Sequence, residues 1–247
     1  DVYKRQALTE GGRAMSFFTI AAEDRSKHRP FGHEDSFDLQ IVEVMTPLVK
    51  GWCTEASMEI TSLGVQVHGG MGFVEETGAA QYMRDARILP IYEGTNGIQA
   101  LDFVGRKSLR DGGEALSKLI NEMRLDCQKY SEMGGDLGQL LKLLTKTISQ
   151  CQQALDHLLS SPEKASYVAF NQMMLFGNSV AYWLLTKLAF SASTQINNGS
   201  SERYLFQKIS TAKFFASQIL TRNASYLDGI LNEVESFDEF SVEDFAR

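Results

Sequence analysis

Apolar residues recur every three or four positions along most of this chain, and this periodicity constrains its fold more than any other feature of the sequence. The helix-favouring residues Ala, Leu, Glu, Lys and Met are frequent, and only four prolines occur among 247 residues. No stretch of strand length alternates between apolar and polar residues, as a half-buried strand requires. The sequence therefore predicts an all-α fold.

The first part of the chain carries four predicted helices, at residues 7–25, 36–63, 79–86 and 97–109. The second of these begins at Ser36, a suitable N-cap, and presents one apolar stripe to a partner helix. Pro47 lies inside that stripe, and we expect it to bend or interrupt the helix because it lacks an N–H group. Adjacent glycines at residues 69–70 end the long helical pattern.

A seam of apolar residues at alternating steps of four and three marks the second part of the chain. Its members are Leu137, Leu141, Leu144, Ile148, Cys151, Leu155 and Leu158. We interpret the seam as the core of a helical bundle, because it is too short for an independent coiled coil. A helix at residues 165–192 is apolar on most sides, which predicts a central position, and a loop at 193–201 leads to a last helix at 202–231.

A polar stretch at residues 110–113 separates the two parts and indicates a domain boundary. We assign residues 7–110 to a first helical domain and residues 111–232 to a second helical bundle. Residues 1–6 receive no role, and residues 233–247 form an acidic tail that we expect to fray. The chain has neither an initiator Met nor a signal segment, so we expect it to be a piece of a longer protein.

Charge and cysteine content disfavour several classes of function. Lys and Arg number 24 against 31 Asp and Glu, a net charge of -7, whereas a surface for nucleic acid or anionic lipid is normally basic. No apolar run is long enough to span a membrane. Only three cysteines occur, without C-x-x-C spacing, which disfavours a disulfide scaffold and a structural zinc site. We therefore predict no metal, no nucleic acid, no membrane span and a reducing compartment.

Two clusters between residues 64 and 105 contain the residues best suited to chemistry. In the first, residues 66–72, adjacent glycines allow close backbone approach and offer N–H groups to phosphate oxygens, but a helix C-cap and turn is the alternative interpretation. In the second, residues 91–97, Glu93 lies between apolar residues and Gly94. Burial without a cation would raise the pKa of Glu93 and make it a useful base, whereas a solvent-facing turn is the alternative.

The two clusters, with a third stretch between them, resemble the C-terminal helical domain of the acyl-CoA dehydrogenases in order and in spacing. The three stretches are QVHGGMGF from Gln66, YMRDARI from Tyr82 and IYEGT from Ile91. Two more, TPLVKGWCTE from Thr46 and GRKSLRDGG from Gly105, resemble a bacterial subfamily with an additional C-terminal helical domain. The resemblance covers about residues 7–231 and implies that a second helical bundle follows the family's C-terminal bundle.

In that family a glutamate removes the α-proton of an acyl-CoA thioester while the β-hydride passes to N5 of FAD. The resemblance implies that Glu93 is this base, that its own N–H group binds the thioester carbonyl, and that Gly94 contacts the substrate. It also implies two sets of FAD-binding residues: Thr95, Asn96 and Gly97 beside the base, and Gln66, Val67, His68, Gly69 and Gly70 at the adenine–pyrophosphate part.

The second set binds, in many members, the FAD of the neighbouring subunit, which implies a homodimer or homotetramer. Electron-transfer flavoprotein is the implied electron acceptor, and the bacterial cytoplasm the implied location. The family's N-terminal helical domain and β-domain would lie upstream, so we expect no activity from these residues alone. Two alternatives stay open: an acyl-CoA oxidase, which the electron acceptor would distinguish, and a non-catalytic helical interaction module, which the acidic charge and Glu93 disfavour.

Overall fold

The computed structural model describes residues 1–28, 36–232, 241 and 243, and within them every regular element is helical. The α-helices are α1 (Val2–Lys27), α2 (Ser36–Val67), α3 (Gly70–Phe73), α4 (Ala79–Ala86), α5 (Asn96–Val104), α6 (Glu114–Lys129), α7 (Gly135–Ser160), α8 (Ala165–Asn197), α9 (Arg203–Gln218) and α10 (Asn223–Leu231). The all-α prediction is confirmed. Most of the predicted acidic tail lies outside the described residues.

Helix α1 is longer than the sequence pattern predicts. It begins at Val2, so the first residues of the chain, to which we gave no role, belong to it. Lys4 pairs with Glu59 of α2, which ties the start of α1 to the middle of its neighbour.

Helix α2 continues through Pro47, and the predicted interruption does not occur. Val44, Met45 and Leu48 surround the proline in sequence and are at most 1% exposed. Because this packing stabilises the helix on both sides of Pro47, it offsets the hydrogen bond that the missing N–H group cannot make.

Two breaks differ from the prediction in the second part of the chain. Helix α8 extends into the predicted loop and ends at Asn197. The predicted single last helix is instead α9 and α10, separated by a 3₁₀ turn at Leu220–Arg222. At this break Arg222 forms two hydrogen bonds with the carboxylate of Glu59, 2.8 and 2.7 Å long, and Asn223 turns into the core with 0% exposure. These contacts hold the break between α9 and α10 in place.

One continuous core runs through both predicted domains. Helix α8 is buried on nearly all sides and packs against α1, α2 and α5 as well as α7, α9 and α10, so its predicted central position is confirmed. The seam on α7 is also core: Leu144, Ile148, Cys151, Leu155 and Leu158 are buried, and the first two leucines of the seam are half-buried.

A chain of buried polar groups joins α2, α8 and α10. Trp52 Nε1 donates to Asn178 Oδ1 over 2.8 Å, and Asn178 Nδ2 donates to Asn223 Oδ1 over 3.0 Å. Asn223 Nδ2 in turn donates to Ser179 Oγ over 3.0 Å. All four side chains are at most 2% exposed, and the donors of these three hydrogen bonds therefore find their partners inside the protein.

Within residues 1–28 and 36–232, no helix combines the length and apolar character that crossing a membrane requires. The same described part contains no group of three or more His, Cys, Asp or Glu side chains arranged to hold a metal ion.

Candidate functional site

The second predicted cluster forms an irregular turn between α4 and α5. Asn96 N–H donates to Pro90 O over 3.1 Å and closes this turn. Thr95 is the N-cap of α5, with its hydroxyl accepting from Ile98 N–H over 3.3 Å. The bond from Asn96 to Pro90 therefore closes the turn, the Thr95 cap starts α5, and residues 91–94 are held without regular structure.

Glu93 is the one non-glycine residue with positive φ in the described part of the chain, at +53°. This left-handed conformation costs a side-chain-bearing residue about 1–3 kcal/mol, so the surrounding contacts must hold it. Gly94 follows at φ +91°, a backbone conformation that favours glycine, and a Cβ there would stand 2.7 Å from Gln99 Nε2. Two successive left-handed residues fold the backbone sharply at the proposed base.

The backbone N–H group of Glu93 donates to no other group of the described residues, and its carboxylate has no ion-pair partner among them. Its carbonyl accepts from Gln99 Nε2 over 3.4 Å. The amide and the carboxylate of this residue are therefore both available to a ligand.

Helix α2 anchors the turn through the side chain of Asn96, which is 4% exposed. Asn96 Nδ2 donates to Glu55 Oε1 over 2.8 Å and to Gly51 O over 3.3 Å. Asn96 Oδ1 accepts from the Thr54 hydroxyl over 2.9 Å. Both hydrogens of the Asn96 amide nitrogen are thus donated to acceptors in one turn of α2.

A second anchor from α2 reaches the residue after the base. Lys50 Nζ donates to Gly94 O over 2.6 Å and lies 6.0 Å from the centroid of the Tyr92 ring. This half-buried ammonium group fixes the carbonyl of the glycine and covers the tyrosine with a cation–π contact.

The expected burial of Glu93 is wrong for this chain by itself. Its side chain is exposed, and the apolar neighbours that we expected to bury it, Ile91 and Tyr92, are themselves 45% and 46% exposed. Within the described residues, this face of the turn is only partly covered. Thr95 and Gly97 are also exposed, whereas Asn96 is buried and bound to α2, so its side chain anchors the turn.

The first cluster lies at the end of α2 and is open to solvent. Gln66, Val67, His68, Gly69 and Gly70 are all exposed. His68 Nδ1 donates to Gly64 O over 2.8 Å and so caps a carbonyl of the last helical turn. Gly69 has φ +59°, and no atom lies within 4 Å of the Cβ position at Gly69 or Gly70. A phosphate-bearing cofactor such as FAD has room to approach this backbone, so the cluster fits the group that the resemblance implies.

The two clusters lie at different heights on the same helix, one near the middle of α2 and one at its C-terminal end. The turn meets α2 at Thr54 and Glu55, and Gln66 lies eleven residues beyond Glu55. At a rise of about 1.5 Å per residue this separation is about 16 Å along the helix axis. Each cluster therefore presents its own surface, and α2 is the rigid element that fixes the distance between them.

Sequence reasoning missed the anchoring residues of α2. Lys50, Thr54 and Glu55 occur in the TPLVKGWCTE stretch, which supported the resemblance without receiving a role. The available signal was a polar set, Lys50, Thr54 and Glu55, at four-residue and adjacent spacing within α2.

Comparison with known proteins matches nearly the whole chain to one family. Residues 3–109 match the family model described as acyl-CoA dehydrogenase, C-terminal domain, and residues 119–239 match that described as acetyl-CoA dehydrogenase C-terminal like. The 3-methylmercaptopropionyl-CoA dehydrogenase of Ruegeria pomeroyi is 42% identical over 222 residues, which cover 88% of this chain and 37% of that protein.

A broad-specificity linear acyl-CoA dehydrogenase of Mycobacterium tuberculosis is 28% identical over 255 residues, covering 95% of this chain and 41% of that protein. The crystal structure of an acyl-CoA dehydrogenase complexed with FAD from Bacillus anthracis has the same fold, with a TM-score of 0.72 and 18% identity over 96% of this chain and 43% of that one. The chain spans less than half the length of these relatives. With both matched regions corresponding to C-terminal domains of one enzyme family, the chain belongs to the acyl-CoA dehydrogenases.

Proposed function

We propose that this chain supplies the catalytic base for α,β-dehydrogenation of an acyl-CoA thioester, and that Glu93 is that base. One observation carries the proposal: Glu93 is held at φ +53° on an anchored turn, with its N–H group and its carboxylate both unused by the described residues. Strained backbone that the surroundings hold in place is concentrated at functional sites. A residue that offers an acceptor for a proton and a donor for a carbonyl suits proton abstraction next to that carbonyl.

The chemistry divides between these two groups of Glu93. Its carboxylate takes the α-proton, and its N–H group donates to the thioester carbonyl, where negative charge develops. We propose that Gly94, whose φ of +91° suits glycine, contacts the substrate beside the base. FAD, when bound, accepts the hydride from the β-carbon. We propose that Gln66 to Gly70 and the exposed Thr95 and Gly97 bind the cofactor.

Exposure of Glu93 in this chain supports a further part of the proposal. A base for a weakly acidic α-proton needs a site from which water is excluded. In this chain the neighbouring side chains Ile91 and Tyr92 are 45% and 46% exposed, so the turn is open to water. We propose that regions found in the longer relatives, outside the part matched by this chain, cover the turn and exclude water. Activity therefore requires those regions.

The proposal includes the assembly and its surroundings. From the resemblance, we propose that Gln66 to Gly70 bind the FAD of a second subunit, hence a homodimer or homotetramer. The three free cysteines suit a reducing compartment, and we place the enzyme in the bacterial cytoplasm. We propose electron-transfer flavoprotein as the acceptor, which makes the enzyme a dehydrogenase and not an oxidase.

Replacing Glu93 by Gln tests the assignment of the base. In a protein that carries this chain and turns over acyl-CoA, Glu93→Gln keeps the shape and the backbone N–H group but removes the proton acceptor. We expect turnover to fall by at least about 1,000-fold while the flavin absorbance of the purified protein is unchanged. The matched control is Glu76→Gln, an exposed glutamate away from the turn, which should keep full turnover. Wild-type turnover in Glu93→Gln would refute the assignment.

A further inference from the structure

Glu93 cannot hold its own conformation. A left-handed glutamate returns to ordinary backbone angles unless neighbouring residues prevent it, and Gln99 contributes only a 3.4 Å hydrogen bond to its carbonyl. Tyr92 N–H donates to Ile88 O before the base, and after it α2 holds Gly94 and Asn96 through its side chains. The geometry of the base is therefore set on a different helix.

The orientation of the Asn96 amide is determined by its partners. An ionised Glu55 carboxylate only accepts hydrogen bonds, so the group of Asn96 that lies 2.8 Å from Glu55 Oε1 must be Nδ2. Gly51 O also only accepts, which fixes the second hydrogen of Nδ2. Oδ1 then faces the Thr54 hydroxyl at 2.9 Å, and the single proton of that hydroxyl has a nearer acceptor in Lys50 O at 2.7 Å. The two partners that only accept, Glu55 and Gly51, therefore fix the orientation of the amide.

We propose that Glu55 and Asn96 are positioning residues for the base: their hydrogen bond fixes the start of α5, and with it the turn in which Glu93 lies. This inference rests on the proposed function of Glu93. The backbone N–H group of Asn96 donates to Pro90 O, which precedes Glu93 in the chain, and its side chain donates to Glu55 on α2. Asn96 therefore links the residues on both sides of the proposed base to α2. Loss of the Glu55 partner leaves the Nδ2 group with only the longer 3.3 Å bond to Gly51 O.

Two substitutions of Glu55 separate positioning from general stability. Glu55 is half-buried, so both variants should fold. Glu55→Gln keeps an oxygen that accepts from Asn96 Nδ2, whereas Glu55→Ala removes it. In a protein that carries this chain and turns over acyl-CoA, we expect kcat to fall about 10- to 100-fold in Glu55→Ala, with KM changed less than about threefold, because small misplacement of a reacting group costs rate of this order. Glu55→Gln should stay within about threefold of the parent.

Hydrogen exchange provides a readout that does not depend on turnover. The Asn96 amide, which donates to Pro90 O, should exchange at least about ten times faster in Glu55→Ala than in Glu55→Gln, since closure of the turn depends on the held side chain. The matched control is Tyr182→Phe, which removes a buried hydrogen bond between α8 and α7, from Tyr182 OH to Leu140 O over 2.8 Å. It should lower the melting temperature but change neither kcat nor exchange at Asn96.

Either an unchanged exchange rate at Asn96 or an unchanged kcat in Glu55→Ala overturns the inference. So does an equal loss of kcat in Tyr182→Phe, which would indicate a general effect of stability. Failure of the proposed function is distinguished from these results because it is decided by Glu93→Gln alone: if that variant keeps turnover, Glu93 is not the base, whatever the Glu55 variants show.

Discussion

At the scale of single residues, Glu93 shows a conflict between folding and chemistry. The +53° φ angle at this position suits glycine, yet a glycine has no carboxylate. The chain retains a side chain where the backbone disfavours one, and α2 restrains the turn through Lys50 and Asn96. This local cost should be measurable as a gain in the free energy of unfolding when Glu93 is replaced by glycine, which adopts the left-handed conformation without strain.

We expect Glu93→Gly to be more stable than Glu93→Ala by about 1 kcal/mol in the free energy of unfolding. Both variants lose the carboxylate, but alanine keeps the strained left-handed conformation while glycine adopts it freely. Urea denaturation of the two variants measures the difference, and Glu93→Ala serves as the control for loss of the side chain. Equal stabilities would show that the turn is not strained at this residue.

The residues of the turn were predictable, but their anchors were not. Glu93 and Gly94 stand in a local motif that can be read from neighbouring positions. The contact between Glu55 and Asn96 joins residues 41 positions apart, and it exists only because α5 packs on α2. For the same reason the predicted burial of Glu93 is wrong: burial depends on what packs over the turn, which its own sequence does not specify.

At the scale of helices, α2 and α8 approach closely at two glycines. A Cβ on Gly51 would stand 2.2 Å from Met173 Sδ, and a Cβ on Gly177 would stand 2.3 Å from Trp52 Cδ1. The absence of side chains at these two positions allows each helix to receive a large side chain of the other. This crossing positions the part of α2 that anchors the turn.

Gly177→Ala should therefore destabilise the protein by about 1–3 kcal/mol, because the added methyl group must displace the buried indole of Trp52. Gly64→Ala on α2 is the matched control: its Cβ would have only Arg5 Nη1 nearby, at 3.9 Å, so the change should be neutral or stabilising by about 0.5–1 kcal/mol. Thermal unfolding of both variants measures the contrast. A Gly177→Ala protein as stable as the parent would contradict close packing at this crossing.

Helices were predictable where one segment contains all the signals. Residues 79–86 form a helix with the predicted ends, between a left-handed Gly78 and the turn before Pro90. The division between α9 and α10 was missed, because the apolar period continues across it and the break depends on Arg222 reaching Glu59. The course through Pro47 was missed for the opposite reason, since a strong local signal was overridden by burial of its neighbours.

At the scale of the whole molecule, Glu59 links the ends of the described chain. It pairs with Lys4 at the start of α1 and with Arg222 between α9 and α10. Hydrogen bonds from Arg222, together with that from Lys4 and the charges of both, lower the pKa of Glu59 from its ordinary 4.5 to about 2, against an opposing effect of partial burial. The folded state therefore holds this carboxylate ionised more strongly than the unfolded state.

A lowered pKa in the folded state predicts a stability contribution that is complete above pH 4.5 and is lost as the pH falls towards 2. We expect the parent to be more stable than Glu59→Gln at pH 6, and the difference in free energy of unfolding to shrink steadily below pH 4.5. Urea denaturation between pH 6 and about pH 2.5 measures it. Glu76→Gln, an exposed site with no such partners in the described part, is the control. A difference that stays constant with pH would rule out this linkage.

The buried polar chain from Trp52 through Asn178 and Asn223 to Ser179 has a consequence for how the molecule can change over generations. Removing one member leaves a buried donor or acceptor without a partner, at a cost of about 1–3 kcal/mol, whereas exchanging the whole set for apolar residues of the same shape can be nearly neutral. The intermediate steps are the costly ones. We therefore expect single substitutions among these four residues to be disfavoured over evolutionary time, whereas joint replacement of the set by apolar residues is tolerated.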